Sequence, residues 1–133
     1  MSRLRATPLL ALLALAALGG CGEPAAVDVE GATLELVLDD YRITPQNVRV
    51  RPGDLPLRIV AHNEGRLTHN VKVQSLTETD SEGTAIAHGG TESGRPGETK
   101  TASVELKPGT YRLVCTLGNH DNLGQYGELI VEE

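Results

Sequence analysis

Past residue 32 the chain is a series of short stretches in which apolar and polar side chains alternate. They are TLELVLD (33–39), NVRV (47–50), LPLRIVAH (55–62), HNVKVQSL (69–76), ASVEL (102–106), TYRLVC (110–115) and YGELIVEE (126–133). A period of two puts every second side chain on the same face of a pleated strand. No stretch sustains the period of an amphipathic helix. RPGD (51–54), NEG (63–65) and KPG (107–109) separate the runs as turns. The pattern predicts an all-β domain over residues 33–133, an antiparallel β-sandwich of about seven or eight strands. Residues 77–101 break the rhythm. They hold five glycines, and their only apolar cluster is Ala85, Ile86 and Ala87. This segment reads as a long exposed excursion with a short helical turn or an edge strand.

The first twenty residues have another character. Arg3 and Arg5 precede PLLALLALAAL (8–18), an apolar run of eleven residues. Such a run is short for a membrane span but suits the core of a signal peptide. LGGC (18–21) follows and resembles a bacterial lipobox, in which small residues precede a cysteine that is lipidated and becomes the new N-terminus. Residues 1–20 are therefore expected to be a lipoprotein signal peptide and Cys21 the lipidated residue. GEPAAVDVEGA (22–32) is small, acidic and turn-prone, and reads as a flexible tether. The expected location is outside the cytoplasm, on a bacterial membrane.

Loss of residues 1–20 leaves ten basic residues against eighteen acidic ones, a net charge of about −8 with neutral histidines. That balance disfavours nucleic acid as a partner, because phosphate binding calls for clustered Lys and Arg. The core must be aliphatic: there is no Trp or Phe, and the aromatic residues are Tyr41, Tyr111 and Tyr126. The chain has two cysteines. With Cys21 assigned to the lipobox, Cys115 has no intramolecular disulfide partner. A lone thiol in an exported protein is either a small buried hydrophobe or a metal ligand.

Alternation narrows the choice. His69 falls in step with Val71 and Val73, Cys115 with Tyr111 and Leu113, and Gln125 with Leu129 and Val131. Three candidate ligands at three strand ends thus face inward at one pole of the sandwich, and His120 lies in a loop able to fold over it. Asn70 points the other way by the same rule. His62 falls on the polar side of its strand and reads as a surface histidine. His88 lies in the glycine-rich excursion. No local motif suggests a catalytic Ser-His-Asp set.

The spacing Cys115-x4-His120-x4-Gln125, preceded by the distant pair His69-Asn70, resembles the blue-copper (cupredoxin) family over residues 33–133. PGTYRLVC (108–115) and GQYGELIV (124–131) are similar to that family's closing strands, and Cys115-Thr116 matches a common pairing in it. The resemblance implies a Greek-key sandwich and one type 1 copper ion held by His69, Cys115, His120 and Gln125. It also implies supporting roles for Asn70 and Thr116. Gln125 stands where most relatives carry methionine, an arrangement similar to the stellacyanin-like members. Thiolate suits Cu(I) and imidazole suits both copper states. A glutamine carbonyl is harder than a thioether, so the reduction potential is expected to be lower than with methionine.

The implied function is single-electron transfer by a lipid-anchored monomer between redox partner proteins, with no enzymatic reaction. Two alternatives stand beside it. One is a copper-binding protein for buffering, delivery or sensing; the other is a cupredoxin-like binding module with a vestigial site.

Overall fold

The computed structural model describes residues 20 and 22–133. The expected signal peptide (1–19 in particular) and Cys21 lie outside the described residues. Among the described residues there are ten strands: β1 (Val27–Asp28), β2 (Thr33–Asp39), β3 (Arg42–Thr44), β4 (Asn47–Val50), β5 (Leu57–Asn63), β6 (Lys72–Thr79), β7 (Ala85–Gly90), β8 (Thr99–Val104), β9 (Gly109–Val114) and β10 (Tyr126–Val131). A 3-10 turn, Pro52–Asp54, joins β4 to β5.

The strands form two packed sheets. One has the order β1-β4-β10-β9-β6-β7 and the other β3-β2-β5-β8. The core lies between them and is aliphatic, as the composition requires. Leu34, Leu36 and Leu38 of β2 alternate inward with Leu57 and Ile59 of β5 on one side. Val48, Val50, Val73, Leu113, Leu129 and Val131 face them from the other. Every alternating run read from the sequence contributes a strand, and each buries the phase expected of it.

Two features depart from the expectation. The sheets are mixed rather than antiparallel, because β1 and β10 both run parallel to β4, and β2 runs parallel to β5. Alternation specifies which face a side chain takes and is blind to the direction of the neighbouring strand. The strand count also exceeds the expected seven or eight. β1 and β3 are edge strands of two and three residues, too short to show a period, and β7 is the edge strand within the excursion. Short edge strands leave little unpaired backbone for another chain to extend.

β1 also changes the picture of residues 22–32. Val27 and Asp28 pair with Val48 and Arg49, and Val29 is buried in the core cluster. The packed domain therefore begins several residues before 33, within the stretch expected to be a tether.

Candidate metal centre

The loop between β9 and β10 is closed by its own backbone. Tyr126 pairs with Val114, so the residues just beyond the ladder on each side, Cys115 and Gln125, are held together. The Cys115 N–H donates to the Gln125 carbonyl at 3.1 Å, the Gln125 N–H to the His120 carbonyl at 3.0 Å, and the His120 N–H to the Leu117 carbonyl at 3.2 Å. Gly124 allows the return: its φ is +115°, and a Cβ there would press on the Tyr41 carbonyl at 3.2 Å. His69 arrives from the other side of the pole. It precedes β6 in an isolated bridge with Gly94, in which each backbone N–H donates to the other residue's carbonyl.

One ligand atom each from His69, Cys115 and His120 lie within 4.8 Å of one another. Cys115 Sγ is 3.6 Å from His120 Nδ1, and the two imidazole rings have centroids 5.1 Å apart. Metal bonds of roughly 2.0–2.3 Å would separate trigonally arranged donors by about 3.5–4 Å, so the cluster has the dimensions of a metal site. His69 and Cys115 are buried, whereas His120 is partly exposed. These three residues are positioned to hold a metal ion.

Three buried polar side-chain atoms among the described residues lack a partner, His88 Nε2 against Tyr111 and two at this pole. His69 Nδ1 and Gln125 Oε1 are buried and have no hydrogen-bond partner. Buried polar atoms in native proteins almost always have one. The other end of each side chain is firmly held. His69 Nε2 lies 3.1 Å from Asp40 Oδ1, and Gln125 Nε2 donates to the carbonyls of Asp39 at 2.8 Å and Arg42 at 3.3 Å. Each side chain is thus oriented through one nitrogen, leaving its second heteroatom unclaimed. A cysteine sulfur and two imidazole nitrogens form a donor set suited to copper.

Asn70 links the segments that carry His69 and Cys115. The Thr116 backbone N–H donates to Asn70 Oδ1 at 2.9 Å, and Asn70 Nδ2 donates to Thr116 Oγ1 at 3.0 Å. Strand alternation would have turned Asn70 outward, yet it is buried. Three consecutive residues, His69, Asn70 and Val71, are buried ahead of β6, and the bonds to Thr116 satisfy the Asn70 amide there.

The β2–β3 hairpin supplies contacts that no spacing in the sequence revealed. Asp39 pairs with Arg42, which leaves Asp40 and Tyr41 as a two-residue tip. Asp40 meets His69. Tyr41, at φ +65°, places its ring edge-on to His120 with centroids 5.3 Å apart. Two-residue hairpins call for positive φ, which a tyrosine adopts at a cost of order 1 kcal/mol or more. The Asp40 carboxyl is lowered to about 2, chiefly by the His69 hydrogen bond; burial opposes this, and the N–H groups of Arg66 and Leu67 and the Arg66 side chain reinforce it. Gly65 makes room for the pair, since a Cβ there would lie 2.5 Å from Asp40 Oδ1 and 2.9 Å from His69 Nε2. The sequence signal was no more than DDYR between two apolar runs, the pattern of an ordinary turn.

The remaining histidines lie elsewhere. His62 Nδ1 is 2.8 Å from Thr99 Oγ1 and its Nε2 is 2.6 Å from Glu35 Oε2, on the outer face of the smaller sheet. His88 sits on β7 with its ring edge-on to Tyr111 at 5.1 Å.

No protein-family model matches the chain, and no curated protein matches it. Several solved structures share its fold. An auracyanin from the photosynthetic bacterium Roseiflexus castenholzii, in its dithionite-reduced form, aligns with a TM-score of 0.66 at 18% identity, covering 79% of this chain and 100% of that one. Auracyanin B aligns at 0.64 and 20% identity, over 84% of this chain and 97% of that one. A purple cupredoxin from Nitrosopumilus maritimus aligns at 0.51 and 15% identity, over 74% of this chain and 98% of that one.

Proposed function

We propose that the chain, which has the cupredoxin fold, is a one-electron carrier holding a single type 1 copper ion through His69, Cys115, His120 and Gln125. It works outside the cytoplasm, anchored to a bacterial membrane by a lipid on Cys21. The observation that carries this reading is the pair of orphaned buried atoms, His69 Nδ1 and Gln125 Oε1, beside the Cys115–His120 contact. Copper bound there supplies a one-electron couple.

The protein's own groups account for the rest. Burial of His69, Cys115 and Gln125 keeps solvent from the donors. The Asn70–Thr116 bonds and the Asp40–His69 bond hold the donors in place without the metal, so little has to move when charge changes. A carboxylate behind the ring also fixes the imidazole tautomer and the ring's orientation. His120 is the partly exposed member of the cluster. It forms the route between the centre and a pole that carries exposed Leu123 and Tyr41. No position for a reacting substrate is part of this reading.

Addition of Cu(II) to the mature protein tests it. The expected result is an intense visible thiolate-to-copper absorption that cycles reversibly with reductant and is abolished in Cys115→Ser. A protein that takes up no Cu(II) would be a vestigial module. One that releases copper quickly to a chelator and does not cycle would be a buffer or delivery protein.

A further inference from the structure

The segment that leads into β1 lies along the metal pole. β1 pairs with β4, and β4 runs parallel to β10, whose first residue follows Gln125. Going backwards from Val27, the chain therefore heads toward the metal end of the sandwich. Described contacts bear this out. Asn47 Nδ2 donates to the Pro24 carbonyl at 2.7 Å. Pro24 and Ala25 line one groove together with Tyr41 and Gly124, and Tyr41 is the residue whose ring abuts His120. Glu23 lines a neighbouring groove that starts at Tyr126 and Gly127, beside the first residue of β10, and runs across the sheet to Tyr111 and Leu76.

A chain that leaves the domain at this point has little slack. Only Gly22 and Glu23 separate Cys21 from the anchored Pro24, a span of at most about 11 Å. The polar headgroup layer is itself roughly 5–8 Å deep on each side of a bilayer. The pole carries three exposed apolar side chains close to the ligands, Tyr41 at 37%, Leu67 at 39% and Leu123 at 54% exposure. Leu67 is tied to Asp40, and the Leu123 N–H donates to the His120 carbonyl.

We propose that the metal pole faces the bilayer and that its apolar rim of Tyr41, Leu67 and Leu123 rests on the headgroup surface. The inference rests on the lipid anchor at Cys21 in the reading above. Its consequence is that electrons enter and leave at membrane level. The electron partner is then a membrane-embedded redox protein, met at the high effective concentration that a shared surface provides. A freely diffusing partner would have to lift the pole away.

Depth measurement on the acylated full chain in vesicles tests this. A fluorophore is placed in metal-free protein at Glu64→Cys, near the metal pole, or at Glu82→Cys, on the β6–β7 turn at the opposite end; Cys115 is buried and shielded from the reagent. Headgroup-nitroxide lipids are expected to quench the Glu64 position several-fold more than the Glu82 position. Insertion of a twenty-residue Gly-Ser linker after Gly22, with an r.m.s. reach of about 25 Å, is expected to remove the difference. Equal quenching at the two positions, with mass spectrometry showing acylated Cys21, would overturn the orientation alone. An unmodified Cys21 would overturn the anchor and the orientation with it.

Discussion

The His69 ring faces the Asp40 carboxylate across 3.1 Å, and this contact determines which nitrogen of the ring is offered to a metal. A carboxyl lowered to about 2 is ionised at neutral pH and can only accept a hydrogen bond. Nε2 must therefore carry the proton, and Nδ1, buried and unpartnered, presents its lone pair. Replacing Asp40 by Ala is expected to weaken copper binding by about 10- to 100-fold, the usual effect of losing such a partner. Asp40→Asn keeps an acceptor but removes the charge, and is expected to raise the reduction potential. Competitive chelation and voltammetry check the two effects. A third measurement, nitrogen-15 NMR of metal-free protein, should show His69 protonated at Nε2 in the wild type and a tautomer mixture in Asp40→Ala.

Gly65 is the space that the Asp40–His69 contact needs. A methyl group there would stand 2.5 Å from Asp40 Oδ1. Gly65→Ala is expected to push the hairpin tip away from His69 and destabilise the fold by about 1–3 kcal/mol, as overpacking does. Thermal unfolding of the metal-free variant measures the loss of stability. A changed thiolate-to-copper band in the loaded variant reports the displaced hairpin tip.

Gln125 combines a proposed donor with a structural anchor. Gln125→Met is expected to raise the reduction potential, because a thioether favours Cu(I) more than an amide oxygen does. It also removes the donors to the Asp39 and Arg42 carbonyls. The metal-free variant is therefore expected to lose about 1 kcal/mol of stability. An unchanged or lower potential would show that residue 125 does not reach the metal.

Asn70 joins the segments that bring His69 and Cys115 together. Asn70→Ala removes both bonds to Thr116 and is expected to destabilise the protein by about 1–3 kcal/mol. The looser site should release copper to a chelator faster, which stopped-flow absorbance would follow.

Acid sensitivity has an identifiable contributor besides Asp40. Glu98 has its carboxyl below the usual 4.5, held first by the Arg95 backbone N–H and then by Lys100, against partial burial. A depressed carboxyl contributes stability that is complete above its unfolded value and lost as pH falls through its folded one. Stability of the metal-free wild type should thus decline as pH drops below about 4.5, and Glu98→Gln should show a shallower decline. Denaturant titrations at stepped pH measure the difference.

Much of this architecture is legible in the chain because burial imposes a period. His69, Cys115 and Gln125 lie in phase with Val71, Leu113 and Leu129, and all six are buried. Asn70 was misplaced by the same rule because its buried amide is satisfied by Thr116, 46 residues away, which alternation does not see. Mixed strand direction was invisible, since parallel and antiparallel neighbours demand the same alternation. β1 and the packing of Val29 were hidden in a stretch whose composition resembles a linker.

What the sequence alone determined is the set of strand faces and the order Cys115, His120, Gln125 on one loop, because both follow from local spacing. Tertiary structure decided what stands behind those side chains and His69. Asp40 reaches His69 across 29 positions of chain, and the Asp39 carbonyl meets Gln125 across 86. Tyr41 covers His120 only because a hairpin from the other sheet folds over the pole. Such contacts come from how two sheets pack, and side-chain alternation along a strand carries no record of which hairpin lies opposite.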